Sequence, residues 1–556
     1  MATASDGMIF INGRVVPVTG PVRAADAVAL RGERIVAVGS EAEARAAVGP
    51  AASIVDLGGR TLVPGFIDAH NHFLSTAESF SAIDARDPSV HSVADLMALV
   101  DAAAERTEPG RWVRGFGMDW TRFEDGHRPT RWDLDKVTSD HPVVILHVSG
   151  HYALVNSRAM EARGIRDDVR DPVGGSFERD AAGRPTGLLR DTATNLVLQL
   201  SVDIGSHGPN FHTDVPLDDM VAMLEEGTSR YLEAGLTTIC DPQVTSREMR
   251  AYRAARDRGV LGIRTVCLPL SSQLDAFDEV GIAGPLGDDR LRIAGMKFYT
   301  DGAITGGTAV FSRPMGRDGQ FAGTLYHEPT ELRDLLVRAA ASGWQLAIHT
   351  MGDRAMGIML DGVEAARGSG RPARRTDADH RDRIEHCTWP TPDHIARIAR
   401  LGMIPVTQPG SIRELGDIWR EQLGDRIERA NPLREELAAG IPVVISSDAF
   451  VQSYRPLDTI TAAVSRVTPS GVHVGADQEL TVAEALAAHT INAARALRME
   501  DRIGSIEPGK LADLAVVDGD LMGSTPERVR ELRMWMTVLG GEVVYRRDGG
   551  GAATAG

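Results

Sequence analysis

Two histidines, one residue apart at the close of an apolar run, are the first place where this chain could do chemistry. In Leu62-Val-Pro-Gly-Phe-Ile-Asp-Ala-His70-Asn-His72, side chains two apart on an extended backbone share a face, so both imidazoles can clamp one cation. A chance pair of surface histidines is the alternative for these two alone. Four more places end an apolar run in the same way: Met296-Lys297-Phe-Tyr-Thr-Asp301, Ala347-Ile-His349, Arg383-Ile-Glu-His386 and Ile445-Ser-Ser-Asp448. A His-x-His pair, two later histidines and an aspartate form a donor set that zinc accepts. Taken singly, each has a plainer reading. His349 or His386 would be a hydrogen-bonded core histidine, Asp448 a cap, and Lys297 a surface ion-pair partner.

Five such places need a frame that gathers strand ends. Strand-like runs at Thr237–Cys240, Gly262–Leu268, Leu346–His349, Ile404–Thr407 and Val443–Ser446 alternate with helical stretches. Ser92–Ala104, Glu331–Ala340 and His394–Leu401 carry apolar residues three and four apart. This alternation predicts βαβ units around a parallel sheet. In a (β/α)8 TIM-type barrel the strand C-termini converge on one face, which would bring the five places together. The chain ends read differently. Met8–Val18, broken by the hairpin signal Asn12-Gly13, is followed by short β-rich runs at Ala29–Gly39 and Ser53–Val63; Asp513–Asp518 and a hairpin around Gly540-Gly541 return to that style. The expected organisation is a small β-sandwich domain built from both termini (residues 1–64 with 500–548) and a barrel over 65–499. An inserted subdomain is expected at about 110–230, and a flexible tail at 549–556.

Composition narrows the function classes. A net charge of -17 over 556 residues argues against a nucleic-acid partner. Cys240, Cys267 and Cys387 suggest no disulfide framework, which suits a reducing compartment. Neither a signal peptide nor a membrane-spanning run is evident. The expectation is a cytoplasmic protein, a homo-oligomer (dimer), acting on a small-molecule substrate without nucleic-acid or membrane partners.

The chain resembles the amidohydrolase superfamily, in its YtcJ-like (amidohydrolase family 3) branch, which includes N-substituted formamide deformylases. The resemblance rests on Pro64-Gly-Phe-Ile-Asp-Ala-His-Asn-His72, Ser149-Gly-His-Tyr-Ala-Leu-Val-Asn-Ser157, Lys297-Phe-Tyr-Thr-Asp-Gly302, His349-Thr-Met-Gly-Asp-Arg-Ala355, Arg383-Ile-Glu-His386 and Ser447-Asp448. Ala483–Ala494 and Gly504–Leu514 also match, so it spans nearly the whole chain. It implies that His70, His72 and Asp448 hold a more buried divalent metal, zinc by type, and that His349 and His386 hold a second. Lys297, as N6-carboxylysine, would bridge the two; an uncarboxylated lysine beside a single ion is the alternative. The implied reaction is metal-assisted hydrolysis of an amide, formamide or lactam-like C–N bond, with Asp448 as base and then acid. Ester hydrolysis, deamination or a catalytically silent scaffold are the other readings within the superfamily. His151, Asp301 and Trp120 are expected to meet substrate, and Asp353 to organise the segment after His349. Glu385 is expected to turn away from the metal by strand alternation, and His489 to pack. Arg190 departs from relatives that carry a glutamate there.

Overall fold

Nine consecutive buried residues, Leu236–Val244, form the longest strand of the region that carries the site, and its neighbours are buried just as fully. Runs of this kind, apolar on both faces, belong to parallel strands covered on both sides. The computed structural model describes residues 7–19, 26–86, 89–124, 126–147, 152–172, 175–198, 201–316, 318–368 and 380–547. It separates into two compact units, one formed by the described residues of Met1–Phe73, Ile204–Gly208 and Leu224–Gly556, the other by Leu74–Asp203 and Pro209–Met223.

Two sets of parallel strands order the first unit. In one, Phe66–Asp68 pairs with Leu236–Val244, which pairs with Arg264–Pro269 and then Leu291–Ile293. In the other, Met296–Tyr299, Leu346–Thr350, Arg383–His386, Ile404–Thr407 and Val444–Ile445 lie side by side in chain order, all parallel. Tyr299 stands opposite His349, and Thr350 opposite His386. Helices Pro329–Ala341, Asp353–Gly368 and Pro392–Leu401 connect consecutive strands. The last starts where Thr391 accepts the His394 amide with Pro392 behind it, and stops at Gly402 with φ 59°. Leu336, Met356, Leu360 and Ile398 pack from these helices onto Ile348 and Ile384. Each buried side chain contributes about 2 kcal/mol relative to exposure.

Both chain ends contribute to one five-stranded sheet, in which Thr61–Pro64 pairs antiparallel with Leu514–Val517. The Gly540-Gly541 hairpin is present: Leu539 faces Glu542 and the glycines hold φ 57° and 81°, as a two-residue turn of primed type requires. The hairpin expected at Asn12-Gly13 is not formed. Met8–Ile11 pairs with Ala27–Arg31 and Ser53–Asp56, whereas Arg14–Val15 passes to the other sheet and pairs with Thr61–Pro64. A Cβ on Gly13 would lie 2.4 Å from Leu57 Cδ1, so this glycine serves a close chain crossing rather than a hairpin. Phe10, Val28, Leu62, Val516 and Trp535 bring residues of both sheets into one apolar cluster.

The second unit contains a six-stranded mixed sheet in the order Gly175–Arg179, Pro185–Asp191, Tyr152–Val155, Val143–His147, Val113–Met118, Ile83–Asp84. The helix Val93–Arg106 belongs to this unit, its Leu96 and Val100 packing with Val113 and Ile145. Among the described residues no helix is long and apolar enough to cross a membrane.

Candidate metal centre

His70 and His72 follow the strand Phe66–Asp68 and are both buried, with ring centroids 5.4 Å apart and planes at 86°. Asp448 lies three residues past Val444–Ile445. Its amide donates to the His70 carbonyl at 2.9 Å, and its Oδ1 lies 3.3 Å from the Nε2 of both His70 and His72. The carboxylate arrives there through a left-handed φ of 54°, a conformation that costs a non-glycine residue about 1–3 kcal/mol and needs support. Asp68 supplies it, accepting from the Ser447 amide at 3.0 Å, the Ser447 hydroxyl at 2.5 Å and Asn71 Nδ2 at 2.9 Å. Tyr231 OH in turn donates to Asn71 Oδ1 at 2.8 Å.

The other expected residues come from three adjacent strands. His386 lies 4.7 Å from His70 and 4.4 Å from His349 between ring centroids. One donor atom each of His70, His386 and Asp448 falls within 4.8 Å of the others. Lys297 Nζ lies 4.6 Å from the Tyr299 ring centroid, and the Tyr299 ring lies 4.7 Å from that of His349, tilted by 31°. Each of three imidazoles is tied at the nitrogen away from this cluster. His70 Nδ1 donates to Glu385 Oε2 at 2.5 Å, His386 Nδ1 to Gln408 Oε1 at 2.7 Å, and His349 Nε2 to the Gly302 carbonyl at 3.1 Å. Such bonds fix the tautomer and leave the opposite nitrogen a lone-pair donor.

Glu385 corrects the sequence expectation. His386 adopts φ 72°, which breaks strand alternation, so Glu385 and His386 both serve the cluster although they are neighbours. Glu385 also accepts two bonds from Arg383, at 2.7 and 2.9 Å, and Arg383 Nη2 donates to the Ala69 carbonyl at 2.6 Å. Burial works to raise the Glu385 carboxyl, but the Arg383 charge outweighs it and holds the group ionised. Burial likewise works to raise Asp448, and His70 and His72 beside it hold it well below the usual carboxylate range. Burial pushes His349 well below its ordinary value and takes His386 down to about 3, so both are neutral, the ligand form of imidazole. Burial also lowers Lys297 to about 8.

The chemistry of this set fits a divalent cation. His70 Nε2, His349 Nδ1, Lys297 Nζ and Asp448 Oδ1 are buried without a hydrogen-bond partner. Buried polar atoms are nearly always satisfied, and these exceptions among nitrogen and oxygen donors suit a bound metal ion.

The remaining expectations divide. Asp301 is buried and accepts from the amides of Val310 at 2.8 Å, Met351 at 3.0 Å and Gly352 at 3.0 Å, so it anchors the loop after its strand. Burial pushes its carboxyl up to about 7. Asp353 receives the Ser312 amide at 2.7 Å and the Ser312 hydroxyl. His489, just past the helix Val482–Ala488, donates from Nδ1 to the Ile67 carbonyl at 2.9 Å and packs edge-on to Phe66. Cys387 faces the helix core and Glu436 Oε1 at 3.6 Å. Trp120 belongs to the second unit, where its ring lies 4.1 Å from His147 and 5.1 Å from Tyr152; Arg190 lies 5.9 Å over the Tyr152 ring. His151 lies outside the described residues. Sequence reasoning passed over Gln408 and Asp241, the latter 4.0 Å from His72 Nδ1 and bonded by Tyr252 OH. Gln408 directly follows the strand Ile404–Thr407, the same position that marked the histidines.

Known proteins share this frame. The chain is 32% identical over 552 residues to the N-substituted formamide deformylase of Arthrobacter pascens, covering 98% of this chain and 99% of that one. It is 28% identical over 511 residues to YtcJ of Bacillus subtilis (strain 168), covering 90% and 92%. An uncharacterized metal-dependent hydrolase from Pyrococcus horikoshii OT3 superposes with a TM-score of 0.77 at 26% identity, over 94% of this chain and 99% of that one. The amidohydrolase family matches residues 53–545, nearly the whole chain, and the chain belongs to that family.

Proposed function

We propose that the chain is a divalent-metal-dependent hydrolase cleaving a C–N bond of a small amide, formamide or lactam-like molecule. The observation that carries this reading is the approach of Asp448 Oδ1 to the Nε2 atoms of His70 and His72, each at 3.3 Å, among further buried donors without partners. The 32% identity to a formamide deformylase over nearly the full chain supports the bond type.

In this reading His70, His72 and Asp448 hold one ion, His349 and His386 a second, and zinc suits the donors. Lys297 would serve both as a carbamate, formed when its amine nitrogen bonds the carbon of CO2 and gives up a proton. A bound ion of this class supplies Lewis acidity, which makes water reactive at neutral pH and polarises a carbonyl. Asp448 takes the proton of the attacking water and returns it to the leaving nitrogen. Glu385, Gln408 and the Gly302 carbonyl hold three imidazoles in the tautomer that binds a cation.

The same proposal takes the parallel strands as a (β/α)8 barrel. In support, the parallel bridge Leu270–Lys297 links the two sets, and the Asp448 amide bonds the His70 carbonyl where the last strand's end meets the first's. The apolar cluster shared by the two terminal sheets supports a β-sandwich. Three free buried thiols suit a reducing compartment, and we assign the enzyme to the cytoplasm.

The test is metal analysis of the purified protein followed by a screen of N-formyl and N-acyl amines. Stoichiometric divalent metal and release of the amine are expected. Equal turnover after complete metal removal would overturn the metal role, and hydrolysis of esters with no amine released from any amide would overturn the bond type.

A further inference from the structure

Away from Asp448, two more imidazoles meet within the first unit. His207 lies in the short segment Ile204–Gly208, and His327 just before the helix Pro329–Ala341. Their ring centroids are 4.9 Å apart with planes at 69°. That spacing falls between those of the imidazole pairs at the candidate metal centre, 4.4 Å for His349–His386 and 5.4 Å for His70–His72. The His327 side chain is fully buried, yet neither of its ring nitrogens has a hydrogen-bond partner. An exception of this kind marks the place of a water or an ion.

Two neighbours complete the set. Glu331 Oε1 lies 3.4 Å from His327 Nδ1, one helical turn on, and its side chain, 56% exposed, has room to turn. His207 Nδ1 meets Ser271 Oγ at 2.8 Å; with that nitrogen donating to the hydroxyl, Nε2 carries the lone pair. This repeats the arrangement of the main centre, where a bond on one ring nitrogen presents the other.

We propose that His207, His327 and Glu331 form a second cation site, which takes a borderline transition metal such as Zn2+, Ni2+ or Co2+. Two imidazoles with one carboxylate favour these ions over Mg2+ and Ca2+, which select oxygen-rich shells. The role is structural. The ion clasps Ile204–Gly208 against the wall formed by Ser271 and His327. Gly208, at φ 145°, comes so near Tyr299 that a Cβ would sit 2.6 Å from its Cδ2. The Tyr299 ring packs against His349 with centroids 4.7 Å apart, so the clasp braces a wall of the main centre.

The experiment counts ions. Full-length protein is equilibrated with Zn2+ alone in a metal buffer, desalted, and its zinc per chain measured for wild type, His207→Ala, Glu331→Gln and His327→Gln. One ion fewer per chain is expected in each variant, and no further loss in the His207→Ala/Glu331→Gln double variant. His207 is half-buried and Glu331 exposed, so those two variants carry the test if His327→Gln fails to fold. Crystals of wild type soaked in Zn2+ should give an anomalous peak between His207 and His327. An unchanged zinc count in His207→Ala, or no such peak, overturns the proposal. Either failure leaves the ions at Asp448 untouched, because they are counted separately in the same crystals.

Discussion

His70 Nδ1 donates to Glu385 Oε2 at 2.5 Å across 315 residues of sequence, and Glu385 is in turn held by both guanidinium nitrogens that Arg383 offers it. Glu385→Gln keeps the shape but removes the charge. It leaves Arg383 buried opposite a neutral group, which costs about 3–5 kcal/mol when a buried pair is broken. It also weakens the grip on His70, and loss of such a partner lowers metal affinity about 10–100-fold. Denaturant unfolding and competition against a chelator measure the two effects, and an unchanged metal affinity would remove Glu385 from the site.

Asp448→Asn retains the backbone link to His70 and most of the donor set but loses the carboxylate proposed to carry the proton. Turnover should fall by about 10²–10⁴-fold, the usual contribution of a positioned acid–base group. Near-normal kcat on an identified substrate would show that another group moves the proton.

Metal removal should lower thermal stability. A ligand that binds only the folded state at 100 times its Kd adds about 2.7 kcal/mol, and here it also satisfies buried donors. Treatment with a chelator is expected to lower Tm, and readdition of Zn2+ to restore it. Identical melting curves would mean that no ion binds there.

Glu436, which accepts from Cys387 Sγ, provides a pH test outside the donor set. Burial pushes its carboxyl up to about 8. The folded state therefore keeps a proton that the unfolded chain releases above about pH 4.5. This group's stabilising effect is complete below that pH and is lost as pH rises toward 8, at about 1.4 kcal/mol per unit of difference. Glu436→Gln abolishes that loss. The variant should match wild type near pH 5 and melt higher than wild type at pH 8; a parallel pH dependence of the two would refute the assignment.

Much of the centre was legible because its residues stand where apolar runs end. His70, His349, His386 and Asp448 each stand within three residues of a buried strand's end, and burial on both faces writes such strands as continuous hydrophobic runs. The misreadings have local causes. Alternation placed Glu385 away from the cluster, and the left-handed turn at His386 that undoes it leaves no mark at a non-glycine residue. Asn12-Gly13 is spelled like a hairpin, but the partner of each flanking strand lies in a different sheet, a long-range choice that a dipeptide does not encode. His207 and His327 stand outside strand ends, so nothing in their neighbours singled them out.

The pairing of Thr61–Pro64 with Leu514–Val517 has a consequence for biogenesis. Thr61–Pro64 lies just ahead of Phe66–Asp68, the strand that leads to His70, and its antiparallel pairing waits for a partner translated about 450 residues later, on the order of half a minute or more at ribosomal speed. Until then the nascent polypeptide leaves that edge of Thr61–Pro64 unpaired. Premature termination anywhere before residue 514 should therefore yield material that chaperones and proteases remove, not a partly active fragment.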